Sequence, residues 1–166
     1  MSTLHMHADV NATPAEFVAA LTDFGPGRSE LFSNSDDGYL KVHQRSDHRA
    51  DVTEGSGGVW ERLDYDWSDP LRVVAVTTDS NAWGGASGHT YELTPRADGT
   101  TGIDYTVVRE GKNLRGWFLG IVLGTVGKNV LIKAFDNFIH AVEVRTVPSG
   151  HAGKLRPVAT RSGQSR

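Results

Sequence analysis

The feature that most constrains the fold is a run of short alternating segments between Gly38 and Arg109. Hydrophobic residues recur there with a period of two, and turn residues arrive about every ten positions. Connections this short leave no room for the crossover helices that parallel strands require. The run therefore predicts a six-stranded antiparallel meander. The predicted strands cover residues 39–45, 49–55, 58–67, 71–79, 87–95 and 101–109.

The residues before the meander predict one strand and two short helices. Hydrophobic and polar residues alternate from residue 4 to residue 10, which indicates a half-buried strand. The segment 13–16, Thr-Pro-Ala-Glu, is a capping box with proline at the first helical position. The segment 25–27, Gly-Pro-Gly, ends this helix, and residues 28–32 suit a second short one.

After residue 110 the hydrophobic period becomes helical and holds to about residue 144. A helix of about 30 residues is roughly 45 Å long, enough to cross a whole sheet. Its uncharged stretch, residues 116–127, is shorter than the roughly 20 residues that a membrane span needs. We therefore expect no stable membrane insertion.

The predicted long helix carries a row of glycines, Gly116, Gly120, Gly124 and Gly127. Each glycine inside a helix costs about 1 kcal/mol relative to alanine, so tertiary structure must compensate. Three explanations stay open. The row allows close packing on the sheet, leaves room for a ligand cavity, or supports helix pairing in a homodimer or membrane contact.

Charge and cysteine content exclude several classes of function. Lys and Arg total 17 and Asp and Glu total 20, for a formal net charge of −3. This balance argues against a dedicated nucleic-acid binder, which needs a basic face. The chain has no cysteine, which rules out disulfides, thiolate metal sites and a cysteine nucleophile.

The chain divides into a folded domain and a tail. Residues 146–166 contain basic but no acidic residues and few large hydrophobic ones, a composition typical of a flexible basic extension. We therefore predict a single domain over residues 1–145. The first ten residues lack the pattern of a signal peptide, and we expect a cytoplasmic location.

The predicted order of elements is one strand, two short helices, a six-stranded meander and a long C-terminal helix. It resembles the helix-grip fold of the SRPBCC superfamily, which includes START domains, polyketide cyclases and pollen allergens. Three short segments and the glycine-containing last helix carry the resemblance; the segments are residues 12–18 (ATPAEFV), 58–62 (GVWER) and 99–103 (GTTGI). The resemblance implies an α+β fold in which a seven-stranded antiparallel sheet wraps the long helix around an apolar cavity.

Members of this superfamily bind lipids, sterols or polyketides, and some cyclise or dehydrate polyketides. The resemblance therefore implies a protein that binds or transports a small hydrophobic or aromatic ligand, lipid- or polyketide-like, in an internal cavity. The alternative is an enzyme of the polyketide cyclase or dehydratase type. A third hypothesis is an interaction module whose long helix or basic tail binds a partner.

Strand parity selects polar residues that face the predicted cavity. A histidine beside a carboxylate can act as a base, and a tyrosine as an acid or an oxyanion donor. The predicted catalytic set is His89, Glu61 and Tyr91, although these groups can equally satisfy one another's buried hydrogen bonds. The predicted ligand-binding residues are Tyr65, Trp67, Trp83, Tyr105, Trp117, Phe118 and Ile121.

Alternate turns of a meander fall at the same end of the sheet. The loop 81–85 should therefore lie beside residues 110–113, where Trp83 either forms a pocket mouth or closes a satellite core. We expect no cofactor and no metal, because His5 and His7 on the outward face of the first strand have no evident third ligand.

Overall fold

The computed structural model describes residues 1–32, 35–113 and 127–146. The strands in these ranges are β1 Ser2–Val10, β2 Lys41–Arg45, β3 Arg49–Ser56, β4 Val59–Asp69, β5 Arg72–Ser80, β6 Gly88–Pro95 and β7 Thr101–Arg109. The helices are α1 Pro14–Leu21, α2 Arg28–Leu31 and α3 Gly127–Thr146.

The seven strands form one antiparallel sheet in the order β1-β7-β6-β5-β4-β3-β2. The meander predicted from turn spacing is therefore confirmed, with strand bounds within about two residues of those expected. β1 pairs with β7 along its whole length, from Ser2 opposite Arg109 to Val10 opposite Thr101. This pairing makes β1 and β2 the two edges of the sheet.

The capping box predicted for α1 is present. The Thr13 hydroxyl accepts from the backbone N–H of Glu16 at 3.3 Å, and the Glu16 carboxylate accepts from the backbone N–H of Thr13 at 2.8 Å. The helix buries Phe17 completely, with its ring centroid 5.5 Å from that of Phe138 and 6.1 Å from that of Tyr91. Phe17 thus joins α1, α3 and the sheet.

α3 lies over the sheet with one face buried. The buried residues are Phe135, Phe138, Ile139 and Val142, and the exposed residues between them are Asp136, Asn137 and His140. Near its end, Arg145 pairs with Asp23 at 3.1 Å. None of the helices in the described ranges combines the length and the hydrophobicity of a membrane-spanning segment.

Residues 110–113, where the predicted long helix is entered, are not helical. Residues 110–113 bond instead to the loop 81–85: Gly111 forms a bridge with Trp83, and the Lys112 N–H donates to Ala82 O at 2.9 Å. Backbone groups used in this way cannot form helical hydrogen bonds. Residues 114–126, with Gly116, Gly120 and Gly124, lie outside the described residues, as does the predicted tail beyond Thr146.

Candidate functional site

A pocket of about 320 Å³ lies between the inner face of the sheet and α3. Its hydrophobic wall includes Phe32, which follows α2, and four residues of α3. Those four are Leu131, Ala134, Phe135 and Phe138. The opposite wall is formed by residues of β3, β4, β6 and β7, and several of them are polar or charged.

The first polar group of this wall is centred on the Glu61 carboxylate. Arg109 Nη2 donates to Glu61 Oε1 at 2.8 Å, and the Thr77 hydroxyl donates to Oε2 at 3.0 Å. Thr77 is on the inner face of β5, with the same parity as the buried residues Val73 and Ala75. Burial by itself raises the Glu61 pKa, but the charge of Arg109 and the hydrogen bonds to the carboxylate lower the pKa to about 2.

His89 lies between Arg109 and Tyr105. Its Nε2 is 2.8 Å from Arg109 Nη2, and its Nδ1 is 2.6 Å from the Tyr105 hydroxyl. Nε2 is also 3.5 Å from Glu61 Oε1, but the contact with Arg109 is much shorter and determines its role. Because a guanidinium can only donate, Nε2 must accept, and the neutral ring then carries its hydrogen on Nδ1. The Nδ1–H therefore donates to Tyr105. Burial, and then the charge of Arg109, lower the His89 pKa below its ordinary value.

Tyr105 and Tyr91 are directly opposite each other on β7 and β6, and both line the pocket. Their rings stack with centroids 4.2 Å apart and an interplanar angle of 6°. Burial raises the pKa of Tyr105 to about 12 and raises that of Tyr91 well above its ordinary value. Both phenols are therefore neutral and can act as hydrogen-bond donors at physiological pH.

A second ion pair, Arg28 with Glu54, lines the same pocket. The Arg28 guanidinium also donates to the carbonyl oxygens of Leu21 and Asp23, at 3.1 and 2.8 Å. The Tyr65 hydroxyl donates to the other oxygen of Glu54 at 3.2 Å. Arg28 thus ties the turn after α1 to β3 in the interior of the protein.

The two carboxylates of the pocket are directly opposite each other, Glu54 on β3 and Glu61 on β4. Like charges facing each other across a sheet are destabilising. Each carboxylate here has its own arginine, Arg28 for Glu54 and Arg109 for Glu61. With His89 neutral, the formal charges of these groups sum to zero.

Trp83 closes one end of this arrangement. It is buried, its ring centroid lies 5.4 Å from the guanidinium carbon of Arg109, and it lines the pocket. Gly84 N–H donates to Glu110 O at 3.0 Å, and Lys112 Nζ contacts Asp79 at 3.1 Å. The predicted approach of the loop 81–85 to residues 110–113 is therefore confirmed.

The chain was compared with proteins of known structure. It shares 13% identity with the Zhui aromatase/cyclase from Streptomyces sp. R1128, with a TM-score of 0.68 over 90% of this chain and 98% of the other. A START superfamily protein from Mycobacterium smegmatis superposes with a TM-score of 0.61 at 10% identity, over 86% and 95% of the two chains. The chain has the helix-grip fold.

Ara h 8.0201 also superposes, with a TM-score of 0.52 at 15% identity over 87% of this chain and 96% of the other. No protein-family model and no curated protein matches the sequence. At these identities the likeness establishes the fold alone. The helix-grip resemblance inferred from the order of elements is confirmed.

The helix-grip sheet brings most of the predicted site residues together. His89, Glu61, Tyr91, Tyr65, Trp83 and Tyr105 all line the pocket. Trp67 does not; it is buried elsewhere in the core, with the Arg45 guanidinium carbon 6.0 Å from its ring. Trp117, Phe118 and Ile121 lie outside the described residues, so their role stays a prediction.

Three charged pocket residues were missed by the sequence analysis. Arg109 has the same strand parity as Tyr105, and Glu54 the same parity as buried Val52, so parity could have identified both. Arg28 lies in a four-residue helix whose pattern carries no such signal. It was missed because its partners come from other parts of the chain.

The described residues contain no cluster of three or more His, Cys, Asp or Glu side chains able to hold a metal ion. His5 and His7 are on the exposed face of β1, where their Nδ1 atoms contact Thr106 and Asp104 of β7 at 3.0 and 2.9 Å. These contacts bind β1 to its neighbour on the outer surface, away from the pocket.

Proposed function

We propose that this protein binds a small hydrophobic or aromatic ligand, lipid- or polyketide-like, in the pocket between the sheet and α3. The observation that supports this most strongly is the pocket itself, where a hydrophobic wall of Phe32 and α3 residues faces the polar groups of the sheet. Ligand sites are typically roughly 300–1,000 Å³, mostly apolar, with a few polar groups that orient the ligand. A pocket of about 320 Å³ suits a small molecule.

Ser35 gives independent support for an occupant. Ser35 lines the pocket, and its hydroxyl oxygen is buried and has no hydrogen-bond partner among residues 1–32, 35–113 and 127–146. A buried polar atom without a partner costs free energy. A ligand with a polar group near Ser35 would remove this cost.

The ionisable groups of the pocket favour binding over proton transfer in its resting state. Arg109 occupies the Nε2 lone pair of His89, and the Glu61 pKa of about 2 makes that carboxylate a weak base. A general base works best when its pKa is near the working pH. Burial lowers the His89 pKa below its ordinary value, so neither His89 nor Glu61 meets this condition as they are arranged.

Filling the pocket should abolish binding. We expect Ala134→Trp to weaken the affinity for the neutral fluorescent probe N-phenyl-1-naphthylamine at least about tenfold, because Ala134 lines the pocket and the indole would occupy it. Asn137→Trp adds the same side chain to the exposed face of the same helix and should leave the affinity unchanged. Fluorescence titration measures both variants.

Native mass spectrometry gives a second readout. Protein purified from its own host should carry a bound small molecule in the wild type and in Asn137→Trp, but not in Ala134→Trp. Equal probe binding by all three proteins, with no host molecule in any of them, would rule out this pocket as the binding site.

A second candidate function, a cyclase or dehydratase acting on a polyketide-like substrate, is favoured by one observation. Tyr105 and Arg109 both contact His89 at the pocket wall, and both have hydrogens that could be donated to a substrate oxygen. In an aldol cyclisation a base removes a proton beside one carbonyl, and the carbanion forms a C–C bond to a second carbonyl carbon. That carbonyl oxygen takes a proton, and water leaves in a subsequent dehydration. Here His89 becomes a base only if a substrate oxygen draws Arg109 away from Nε2.

The first step of this chemistry can be measured without the natural substrate. If the protein is such an enzyme, it should accelerate exchange of the acetyl hydrogens of 1-acetylnaphthalene for deuterium in heavy water, followed by NMR. His89→Ala should return the rate to that of buffer alone, while Asn137→Ala, on the exposed face of α3, should not. A wild-type rate no faster than buffer would leave ligand binding as the only function supported.

A further inference from the structure

The hydrogen-bond directions around His89 determine what Tyr105 offers to the pocket. Because Arg109 donates to Nε2, the imidazole hydrogen is on Nδ1 and is donated to the Tyr105 oxygen. The phenol therefore keeps its own hydrogen for another acceptor, either the neighbouring Tyr91 hydroxyl, with which it also interacts, or a group from outside the chain. Since Tyr105 lines the pocket, that acceptor can belong to a ligand.

The charges of the pocket determine what kind of ligand suits it. Arg28 is paired with Glu54 and Arg109 with Glu61, and His89 is neutral in the arrangement described above. A ligand with a net charge would be buried among these groups without a counter-charge, which is costly. An uncharged ligand avoids that cost.

We propose, as an extension of the ligand-binding function above, that the ligand is an uncharged molecule with a carbonyl oxygen that accepts a hydrogen bond from the Tyr105 hydroxyl. A carbonyl oxygen has lone pairs and no hydrogen, so it matches a wall on which Tyr105 and Arg109 present donors. Arg109 and His89 act as positioning residues, because they orient the phenol. The stacked ring of Tyr91, 4.2 Å from that of Tyr105, limits its movement.

Three naphthalenes of similar size test this proposal by isothermal titration calorimetry at pH 7. They are 1-acetylnaphthalene, which is neutral with a carbonyl; 1-ethylnaphthalene, which is neutral without an acceptor; and 1-naphthoate, an anion. We expect the ketone to bind at least about tenfold more tightly than either of the others. Binding sites that hydrogen-bond a particular group discriminate strongly against analogues lacking it.

The variant Tyr105→Phe removes only the hydroxyl. It should reduce the preference for the ketone over the hydrocarbon to less than about threefold, while the hydrocarbon binds as in the wild type. Tyr39→Phe is the matched control, because the Tyr39 hydroxyl accepts from Gly58 N–H and is not part of the pocket lining. Circular dichroism of each variant verifies that it is folded.

The outcomes separate this proposal from the function on which it rests. Equal wild-type affinities for ketone and hydrocarbon, or a preference that survives in Tyr105→Phe, would overturn the carbonyl assignment while ligand binding stands. Tightest binding of 1-naphthoate would overturn the uncharged class. Binding of none of the three would overturn both proposals.

The orientation of His89 has its own readout. In ¹⁵N NMR spectra at pH 7 we expect His89 to be neutral with its hydrogen on Nδ1. Arg109→Gln should change the ratio of the two tautomers, since it removes the cation that fixes Nε2 as an acceptor. A hydrogen on Nε2 in the wild type would overturn the role assigned to Arg109 and Tyr105.

Discussion

Replacing Arg28 by alanine is expected to lower the free energy of unfolding by about 3–5 kcal/mol. Only 2% of Arg28 is exposed, and its guanidinium carbon lies 4.5 Å from the ring centroids of both Phe24 and Phe32. Alanine would leave the Glu54 carboxylate buried without its counter-charge and two backbone carbonyls without their donor. Chemical denaturation measures the change.

The exposed pair of Arg49 with Asp66 provides the matched control. Their Nη2 and Oδ2 atoms are 2.7 Å apart, but 66% of the Arg49 side chain is exposed, so Arg49→Ala should cost less than about 1 kcal/mol. If the uncompensated carboxylate causes the loss, Arg28→Met combined with Glu54→Leu should be more stable than Arg28→Ala. A double variant no more stable than Arg28→Ala would contradict this cause.

The Glu61 carboxylate should dominate the acid sensitivity of the protein. Its pKa is lowered from 4.5, first by the charge of Arg109, and with His89 neutral we expect this buried pair to contribute about 2 kcal/mol. Because the folded-state pKa is the lower one, this stabilisation is complete above pH 4.5 and is lost as the pH falls towards about 2. Glu61→Gln should therefore be about 2 kcal/mol less stable at pH 7 and should lack this part of the acid-induced loss. Urea denaturation between pH 7 and 2 measures both effects.

Asp66 allows the buried and exposed cases to be compared. Its pKa is also lowered to about 2, first by hydrogen bonds from Ser68, but it is near the surface. We expect Asp66→Asn to lose nearly as much unfolding free energy between pH 7 and 2 as the wild type does. The difference in unfolding free energy between this variant and the wild type should be small, and high salt should reduce it further. If the unfolding free energies of the wild type and Glu61→Gln fall in parallel below pH 4.5, Glu61 is not the group that causes the acid-induced loss of stability.

Much of the fold could be predicted because its signals are local. Turn residues about ten positions apart require an antiparallel meander, whatever the rest of the chain does. The capping box of α1 likewise involves only Thr13 and Glu16. Periodicity did not show that residues 110–113 are non-helical, because their backbone bonds to a loop distant in sequence.

Strand parity predicted which side chains face inward but not how far along the sheet each one lies. Trp67 and Glu61 are on the same face of β4, yet only Glu61 reaches the pocket. Distance along the sheet depends on where α2 and α3 cover its surface, which is a property of the tertiary packing. The same limit explains why Arg28 was missed.

The sequence by itself determined the antiparallel sheet, the order of its six meander strands, and the inward faces that carry His89, Glu61 and the tyrosines. Alternation and turn chemistry suffice for these, since each acts over a few residues. Only the tertiary structure decided the chemical state of those groups. Arg109, from a different strand, approaches His89 within 2.8 Å in a buried pocket. A charge at that distance, shielded from water, turns a predicted base into an acceptor that orients Tyr105.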